Sequence, residues 1–522
     1  MVAFIILGIS ALVFVAGHLV GNYTTGALLL SVIALAIGAI PEGLPAIMSV
    51  ILALGVQSMA RRKAIVRNLP SVETLGSVGV ICSDKTGTLT KNEMTVQALV
   101  TEDARYAVSG IGYAPEGEIT TEAGDAVNAA ETTGLKGLLV CFATCNEAGV
   151  EQDEQGHWVI RGEPTEGALR TAWSKSGLEG ELPAKRDVIP FDSEYKYMAV
   201  LAEDADGERA IYVKGAPEKV LGMCGDACGE RGASAWLEEV DGRAGKGMRT
   251  LAAARKPVPR ETETIDHPDL DEGLIFLGLA GIIDPPREEA VAAVETCRRA
   301  GIEVKMITGD HAATAKAIGA RMSIGDGTCA VEGSEIDGES DEALQETVNT
   351  CSIFARTSPE HKLRLVAALQ ANGCICAMTG DGVNDAPALK MADIGIAMGI
   401  KGTEVTKEAS EIVLADDNFH TIAAAVEEGR KVYDNLRKTL MFILPTNLAE
   451  SVLIIAGILF GAVMILTPVQ VLWINLVTAV TISLALAFEP LAAESMCRPP
   501  RNPAEPLINR YLLFRILYVG LA

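Results

Sequence analysis

Positive charge is scarce in this sequence: 44 Lys and Arg stand against 68 Asp and Glu, a formal net charge of -24. A nucleic-acid binder usually carries a basic patch, and a balance of this sign argues against one. The acidity is diffuse and reads as a solvated surface. Histidine is nearly missing, with 6 in 522 residues. The C-x-x-x-C pairs Cys141/Cys145 and Cys224/Cys228 therefore have no matching His cluster to complete a zinc site. The 11 cysteines are odd in number and irregularly spaced. Reduced, buried thiols fit them better than a disulfide framework, and Cys374 and Cys376 flank Ile375 in what reads as a buried strand. No G-x-x-x-x-G-K-[ST] occurs, which excludes a P-loop. The first apolar stretch lacks a basic flank and a small-residue cleavage site, so it is not a secretory signal.

Long apolar runs are what the chain has in plenty, and they gather at its two ends. Residues 2–20 are almost wholly apolar and long enough to cross a bilayer, as are 26–54, 440–466 and 468–488, and another run begins at 511. Arg61, Arg62, Lys63 and Arg67 follow the second run; Arg430, Lys431, Arg437 and Lys438 precede the third. The positive-inside rule places both flanks, and the segment 61–438 between them, in the cytosol. That segment is too long for one ordinary core.

Within it, the buried-strand pattern 78–82 ends in Ser83-Asp84-Lys85-Thr86-Gly87-Thr88. Strand 303–307 is followed by Thr308-Gly309-Asp310, and strand 374–378 by Thr379-Gly380-Asp381-Gly382-Val383-Asn384-Asp385. Helical patterns at 286–300, 312–318 and 359–371 separate them, and this alternation predicts a parallel sheet with crossover helices. Carboxylates just beyond the C-terminal ends of parallel strands are where open α/β sheets hold their chemistry. Taken singly, each Asp could be an N-cap or a turn residue. Three Asp- and Gly-bearing loops after three strands outweigh that reading.

The motifs DKTGT, TGD and TGDGVND in this order, with the first set in ICSDKTGTLTKNEMTV, resemble the signature of P-type ATPases. The resemblance covers essentially the whole chain. It implies a multidomain membrane protein: transmembrane α-helices plus a cytosolic α/β phosphorylation domain of haloacid-dehalogenase-like (Rossmannoid) fold, interrupted by an α+β nucleotide-binding domain. By that resemblance Asp84 is the nucleophile, and a carboxylate is chemically suited to attack a phosphoryl group. Asp84, Thr86 and Asp381 would hold Mg2+ through oxygen. Lys362 would bring a cation to the transferred phosphate, and Thr308 and Gly309 would hydrogen-bond it. Lys85, Asp310, Asn384 and Asp385 complete the site. Charge neutralisation and in-line placement are the main demands of such a transfer.

The segment 97–272 breaks the strand–helix alternation. Its Gly162-Glu163-Pro164-Thr165-Glu166-Gly167-Ala168-Leu169 is similar to the family's GDPTEGAL, with Glu163 where Asp is common. Pro190-Phe191-Asp192-Ser193-Glu194-Tyr195-Lys196 and Lys214-Gly215-Ala216-Pro217-Glu218 match two further family motifs. The resemblance makes ATP the substrate, with Phe191 stacking on adenine and Glu166, Lys196, Lys214 and Arg249 lining the pocket. An aromatic ring suits a purine, and lysines suit phosphates. Asp284-Pro285-Pro286-Arg287 marks the return to the phosphorylation domain.

Ala39-Ile40-Pro41-Glu42-Gly43-Leu44-Pro45 lies in the middle of the second apolar run. Two prolines and a glycine must break helical hydrogen bonding there. Freed carbonyls at membrane depth are tolerated where they line a cavity, and a carboxylate at that depth is functional by default. Glu42, with carbonyls near Ile37, Gly38 and Ile40, therefore forms a candidate cation site. This PEGLP resembles type II calcium and sodium/potassium pumps; heavy-metal pumps carry a Cys-Pro-Cys that is missing here. Asn447 and Glu450 share one helix face, as do Asn475 and Thr478, and all four match ligand positions of calcium pumps. Ala479 stands where those pumps usually carry Asp, which removes a bridging carboxylate and favours one Ca2+ per cycle.

The expected organisation is membrane helices at 1–60, phosphorylation domain at 61–96 and 273–435, nucleotide-binding domain at 97–272, membrane helices at 436–490, and a cytosolic loop with the start of a further span at 491–522. No TGE loop of an actuator domain is found, so the chain is expected to be a fragment lacking that partner region. It should bind nucleotide and not transport by itself. The implied activity is ATP-driven cation transport across a prokaryotic plasma membrane, Ca2+ being the first choice and Na+, another monovalent ion or Mn2+ the alternatives. A membrane-anchored phosphohydrolase of the dehalogenase type and an inactive binding fragment are the competing classes. A hydrolase has no use for carboxylates in a bilayer.

Overall fold

The apolar run before the first motif forms the strand Val80–Asp84, buried along its length and ending on a half-buried aspartate. In the computed structural model, which describes residues 2–522 except 22, 42, 155, 179–181, 461–465, 493 and 503–504, this strand lies near the middle of an eight-stranded sheet. The order is Ala64–Val66, Ile412–Leu414, Ile394–Met398, Cys376–Gly380, Val80–Asp84, Glu303–Ile307, Ile353–Ala355 and Val331–Glu332. All neighbours pair in parallel except the first two. Strands buried on both faces read as continuous apolar runs because helices cover each side. Those helices begin with strong caps: Pro359–Ala371 opens on a Ser358 side chain that accepts His361 N–H, with Pro at N1.

The expected strand 78–82 is displaced to Val80–Asp84. Ser77 and Val78 N–H groups donate to Thr74 and Leu75 carbonyls and close a turn off the helix Ser71–Leu75, so pairing starts later. Asp84 is consequently the last residue of the strand. The third strand is likewise shifted, to Cys376–Gly380.

A second eight-stranded sheet is antiparallel throughout. Its order is Ile119–Thr121, Arg105–Val108, Thr95–Val100, Ile275–Ile283, Arg249–Val258, Arg209–Gly215, Tyr197–Glu203 and Ala184–Asp192. Alternate residues of a strand face opposite sides. Met198 and Val200 accordingly join the core under Leu138 and Phe142, while Ala199 and Leu201 join that under Val220 and Trp236. This sheet reaches Ile283, past the expected border at 272. Alternation with helices could not locate that border, because an antiparallel strand needs no crossover helix. Two chain crossings join the sheets and are laced together. Asp284 accepts Thr90 Oγ1 at 2.5 Å and Asn92 N–H at 2.8 Å, and Arg287 donates to the carbonyls of Thr90 and Gly87.

The apolar ends are helical: Val2–Val20, Thr25–Ala39, Leu44–Arg61, Phe419–Leu459, Pro468–Thr478 and Arg510–Leu521. Among the described residues, three stretches are long and apolar enough to cross a membrane: Thr25–Arg61, Phe419–Leu459 and Pro468–Leu486. The second apolar run breaks into two helices at Ile40-Pro41, as its prolines require. The third run belongs to a 41-residue helix that begins well before it, at Phe419, and ends at Leu459. Hydropathy marks only the greasy half of a helix, whereas its backbone hydrogen bonds continue through the charged half.

Candidate functional site

The end of Val80–Asp84 sits between the ends of Glu303–Ile307 and Cys376–Gly380, so the loops after all three strands meet. The Asp84 N–H donates to Thr379 Oγ1 at 3.0 Å, tying two of those strands together at Asp84. Its carboxylate accepts Thr86 N–H at 3.3 Å and Lys362 Nζ at 2.8 Å. The same Lys362 nitrogen lies 2.8 Å from Asp385 Oδ1. Asp385 Oδ2 accepts the N–H groups of Asp381 and Gly382 at 3.2 and 3.1 Å. Asp385 is thus fully engaged in holding Lys362 and its own loop. Burial pushes the Lys362 pKa down, but Asp84 and Asp385 outweigh it and hold the ammonium above the ordinary lysine range. Burial, then the charges of Asp84 and Asp385, raise the Asp381 carboxyl.

Asp84, Asp381 and Asp385 present carboxylate oxygens within 4.8 Å of one another, the one such metal-competent group among the described residues. Hard oxygen donors of this kind suit Mg2+. Asp381 is the member whose side chain accepts no hydrogen bond from another described residue, so a cation placed there would relieve its unbalanced charge. The cysteine pairs form no comparable group among the described residues, and none of the 11 cysteines is disulfide-bonded.

Lys85 is buried and pairs with neither Asp84 nor Asp381 but lies 2.7 Å from Asp310 and 3.6 Å from Asp284. Thr308 Oγ1 caps the Asp310 N–H at 3.1 Å, shaping the second loop. Gly309 lies in that loop, and a methyl group added to it would meet nothing within 4 Å. Thr86 and Asn384 are exposed at the mouth. Asp284 was readable in sequence only as a marker of chain return; its part as second partner of Lys85 follows from the crossing. Lys401 is another addition: its Nζ would sit 3.0 Å from a methyl group on Gly87. Nothing in the motif spacing pointed to it.

A second cavity, of about 310 Å³, opens on the antiparallel sheet and is lined by Glu163, Glu166, Phe191, Lys214, Arg249 and neighbours. Phe191 is 61% exposed. A ring left in water at a cavity wall is a platform, not core. Lys214 is buried and reaches Glu166 Oε1 at 2.5 Å, while Glu166 Oε2 accepts Glu147 N–H at 2.9 Å. Glu163 caps the helix Pro164–Lys175 by accepting the N–H groups of Thr165 and Glu166 at 2.8 and 3.1 Å. Its substitution for Asp therefore leaves the cap intact. Lys196 does not line the cavity: it is exposed in the left-handed turn that follows, at φ 60°. Glu147, Thr165 and Leu251 line it without having been singled out.

In the apolar helices, Glu450 and Asn447 are buried, and Glu450 Oε2 has no hydrogen-bond partner. A methyl group on Gly38 would lie 3.4 Å from that oxygen, so the helix Thr25–Ala39 approaches Glu450 just before its break. Asn475 Nδ2 is likewise buried and unpartnered. The helix carrying it packs against Thr25–Ala39 too, and Val471 touches Gly38. Thr478 ends that helix, directly before a π-helical turn at Ala479–Ser483. The Ile37 carbonyl accepts Ile40 N–H at 3.3 Å, so it is not wholly free, though it keeps a second lone pair. Ile40 is exposed. Glu42 lies outside the described residues.

Residues 134–289 match the family described as P-type ATPase, cytoplasmic domain N, and residues 463–522 match Cation transporting ATPase, C-terminus. The chain is 50% identical to "Cation-transporting ATPase pma1" of Synechocystis sp., over 94% of this chain and 56% of that protein. It is 45% identical to "Probable cation-transporting ATPase F" of Mycobacterium tuberculosis, over 99% of this chain and 58% of that one. Against the "Calcium-transporting ATPase" of Bacillus subtilis the identity is 42%, over 94% and 56%. The chain thus spans somewhat more than half the length of the relatives it matches.

Proposed function

Because the chain is built of P-type ATPase domains, we propose that it is the phosphorylating and nucleotide-binding part of an ATP-driven cation pump, with Asp84 as the phosphorylated residue. The observation that carries this reading is the cluster at Asp84: a carboxylate at the end of a central parallel strand, held 2.8 Å from a buried ammonium that also grips Asp385. The parallel sheet is the haloacid-dehalogenase-like phosphorylation domain, 61–96 and 273–435, its border read at Asp284. The antiparallel sheet between is the nucleotide-binding domain.

The Asp84 carboxylate attacks the γ-phosphorus of ATP; the bond to the bridging oxygen breaks and ADP leaves with that electron pair. Lys362 neutralises charge on the transferred group, and its tether to Asp385 fixes its place before the reaction. Asp84, Thr86 and Asp381 would hold Mg2+, which would supply charge neutralisation at the phosphate oxygens. Thr308 and the Gly309 backbone cradle the phosphoryl group, and the lack of any neighbour near Gly309 leaves room for it. Phe191 stacks on adenine, while Lys214 and Arg249 face the phosphates. The nucleotide cavity and Asp84 lie on different sheets, so transfer requires the two to close about the laced crossings at Thr90 and Asp284.

The transported ion binds among Glu450, Asn447, Asn475, Thr478, Glu42 and the carbonyls near Ile37, Gly38 and Ile40 at the helix break. The unpartnered buried carboxylate oxygen of Glu450, in an apolar surround, fits a hard cation, Ca2+ before Na+. Similarity to proteins named calcium-transporting ATPases favours the same ion. The headpiece faces the cytosol of a prokaryotic cell.

The test is acid-stable labelling by [γ-32P]ATP with Ca2+, Na+, K+ or Mn2+ added in turn. Hydroxylamine-sensitive label that disappears in Asp84→Asn is expected, with Ca2+ the cation that promotes it. Label that survives Asp84→Asn would refute the reading.

A further inference from the structure

The long helix Phe419–Leu459 presents Arg430, Tyr433, Asp434 and Arg437 at spacings of three and four, hence on one face. The segment that follows the last long apolar helix folds against that face and adds Arg498 and Arg501. Together they enclose a cavity of about 130 Å³, room for a few waters at ~30 Å³ each or for one phosphate group. Four guanidinium groups and a single carboxylate, that of Asp434, line it.

The fold accounts for some of this charge and leaves the rest. Arg430 spends its donors on carbonyls: Ser495 and Arg498 at 2.7 and 2.8 Å, and Ala300 at 3.0 Å. Carbonyls satisfy its hydrogen bonds without cancelling its charge. Arg501 lies over the Tyr433 ring at 4.0 Å and reaches Glu73 only at 3.5 Å. The Arg498 partner, Glu494, is largely in solvent and 3.2 Å away. Asp434 accepts Ser495 Oγ at 3.1 Å. Arg437 is half-buried and has no ion pair or hydrogen bond among the described residues, so the docking of the segment does not explain it. Arg498 is largely in solvent, but the positive charge on the buried or half-buried Arg430, Arg437 and Arg501 is costly unless an anion balances it.

Position narrows the anion. Arg437 is about one helical turn, ~4.5 Å of rise, before Leu440, where the helix turns predominantly apolar. That is the level at which a bilayer carries its phosphates, and basic pockets beside membrane helices suit anionic headgroups. We infer that the cavity between Arg430, Arg437, Arg498 and Arg501 is a phosphate-binding site, filled by the headgroup of an anionic phospholipid. The site is separate from both the Asp84 cluster and the nucleotide cavity, and its occupancy does not depend on ATP turnover.

The experiment is native mass spectrometry of the full chain in neutral detergent, titrated with dioleoyl phosphatidylglycerol, dioleoyl phosphatidylcholine or inorganic phosphate. The variants are Arg437→Gln, Arg437→Lys and Arg61→Gln. Arg61 is an exposed arginine beside another apolar helix and reports non-specific attraction. The expected result is preferential phosphatidylglycerol binding, weakened about fivefold by Arg437→Gln, largely kept by Arg437→Lys and unchanged by Arg61→Gln. Displacement of the lipid by millimolar phosphate would assign the same site to a free anion. Equal lipid affinity in wild type and Arg437→Gln, with no phosphate bound, would overturn the inference.

Discussion

An ammonium with only 8% of its residue surface exposed is ordinarily pushed toward neutrality, yet Lys362 stays charged because two carboxylates lie 2.8 Å from it. A raised pKa in the folded state means that its stabilising contribution is present through neutral pH and fades only as pH climbs past the ordinary lysine range. Removing it leaves Asp84, Asp381 and Asp385 facing one another uncompensated. Lys362→Ala should slow acyl-phosphate formation on the order of 100-fold or more, read by rapid quench, while nucleotide affinity in the other cavity stays unchanged. Asp84, Lys362, Asp381 and Asp385 were all readable from motifs. The partners that set their geometry, Asp284 for Lys85 and Thr379 for the Asp84 N–H, were not, because each lies on a different strand or crossing and pairs only once the sheet is assembled.

At the scale of elements, two contacts carry most of the consequence. The first is the close approach of the long helix to the helix Ser71–Leu75. A methyl group on Gly429 would lie 2.7 Å from Gly76 N and 2.9 Å from the Val72 carbonyl, and one on Gly76 would lie 2.7 Å from the Gly429 backbone. The neighbours are backbone and cannot turn aside. Gly429→Ala should therefore cost roughly 1–3 kcal/mol, seen as a lowered thermal midpoint, whereas Gly222→Ala, in open space, should not. The second is the platform at Phe191. Phe191→Ala should weaken binding of a fluorescent ATP analogue by about tenfold or more, as loss of one ring–base stack does, and Phe191→Tyr should restore it. Strand and helix ends were the least legible features. The start of Val80–Asp84 is set by a turn at 75–78, and the start of the helix at Phe419 by an Asn418 cap inside a polar stretch.

Across the whole molecule, the parallel sheet, the antiparallel sheet and the apolar helices are joined by few connections: the laced crossings at Asp284, the helix Leu44–Arg61 that runs into the strand Ala64–Val66, the long helix and the Arg430 staple. In the proposed pump, coupling of phosphorylation to cation binding has two covalent routes, through Leu44–Arg61 and through the long helix, which carries Arg430 in its first half and Asn447 and Glu450 in its second. Glu450→Gln should raise the Ca2+ concentration needed for half-maximal labelling of Asp84 by tenfold or more, with nucleotide binding intact. Unchanged Ca2+ dependence would remove Glu450 from the ion site.

Amino-acid order alone was enough to show that the chain has apolar ends and a mixed middle, that its strands before the three Asp-bearing loops run parallel, and which family it resembles. These depend on local pattern: hydropathy over twenty residues, alternation of strand and helix, and motifs short enough to read as strings. The tertiary structure decided which residues face one another. It turned Lys85 toward Asp310, left Lys196 outside the cavity at Phe191, carried the antiparallel sheet on to Ile283, and brought arginines more than sixty residues apart around one cavity. Those outcomes depend on contacts between distant segments, whose energies appear only when the backbone has closed and water has been excluded from between them.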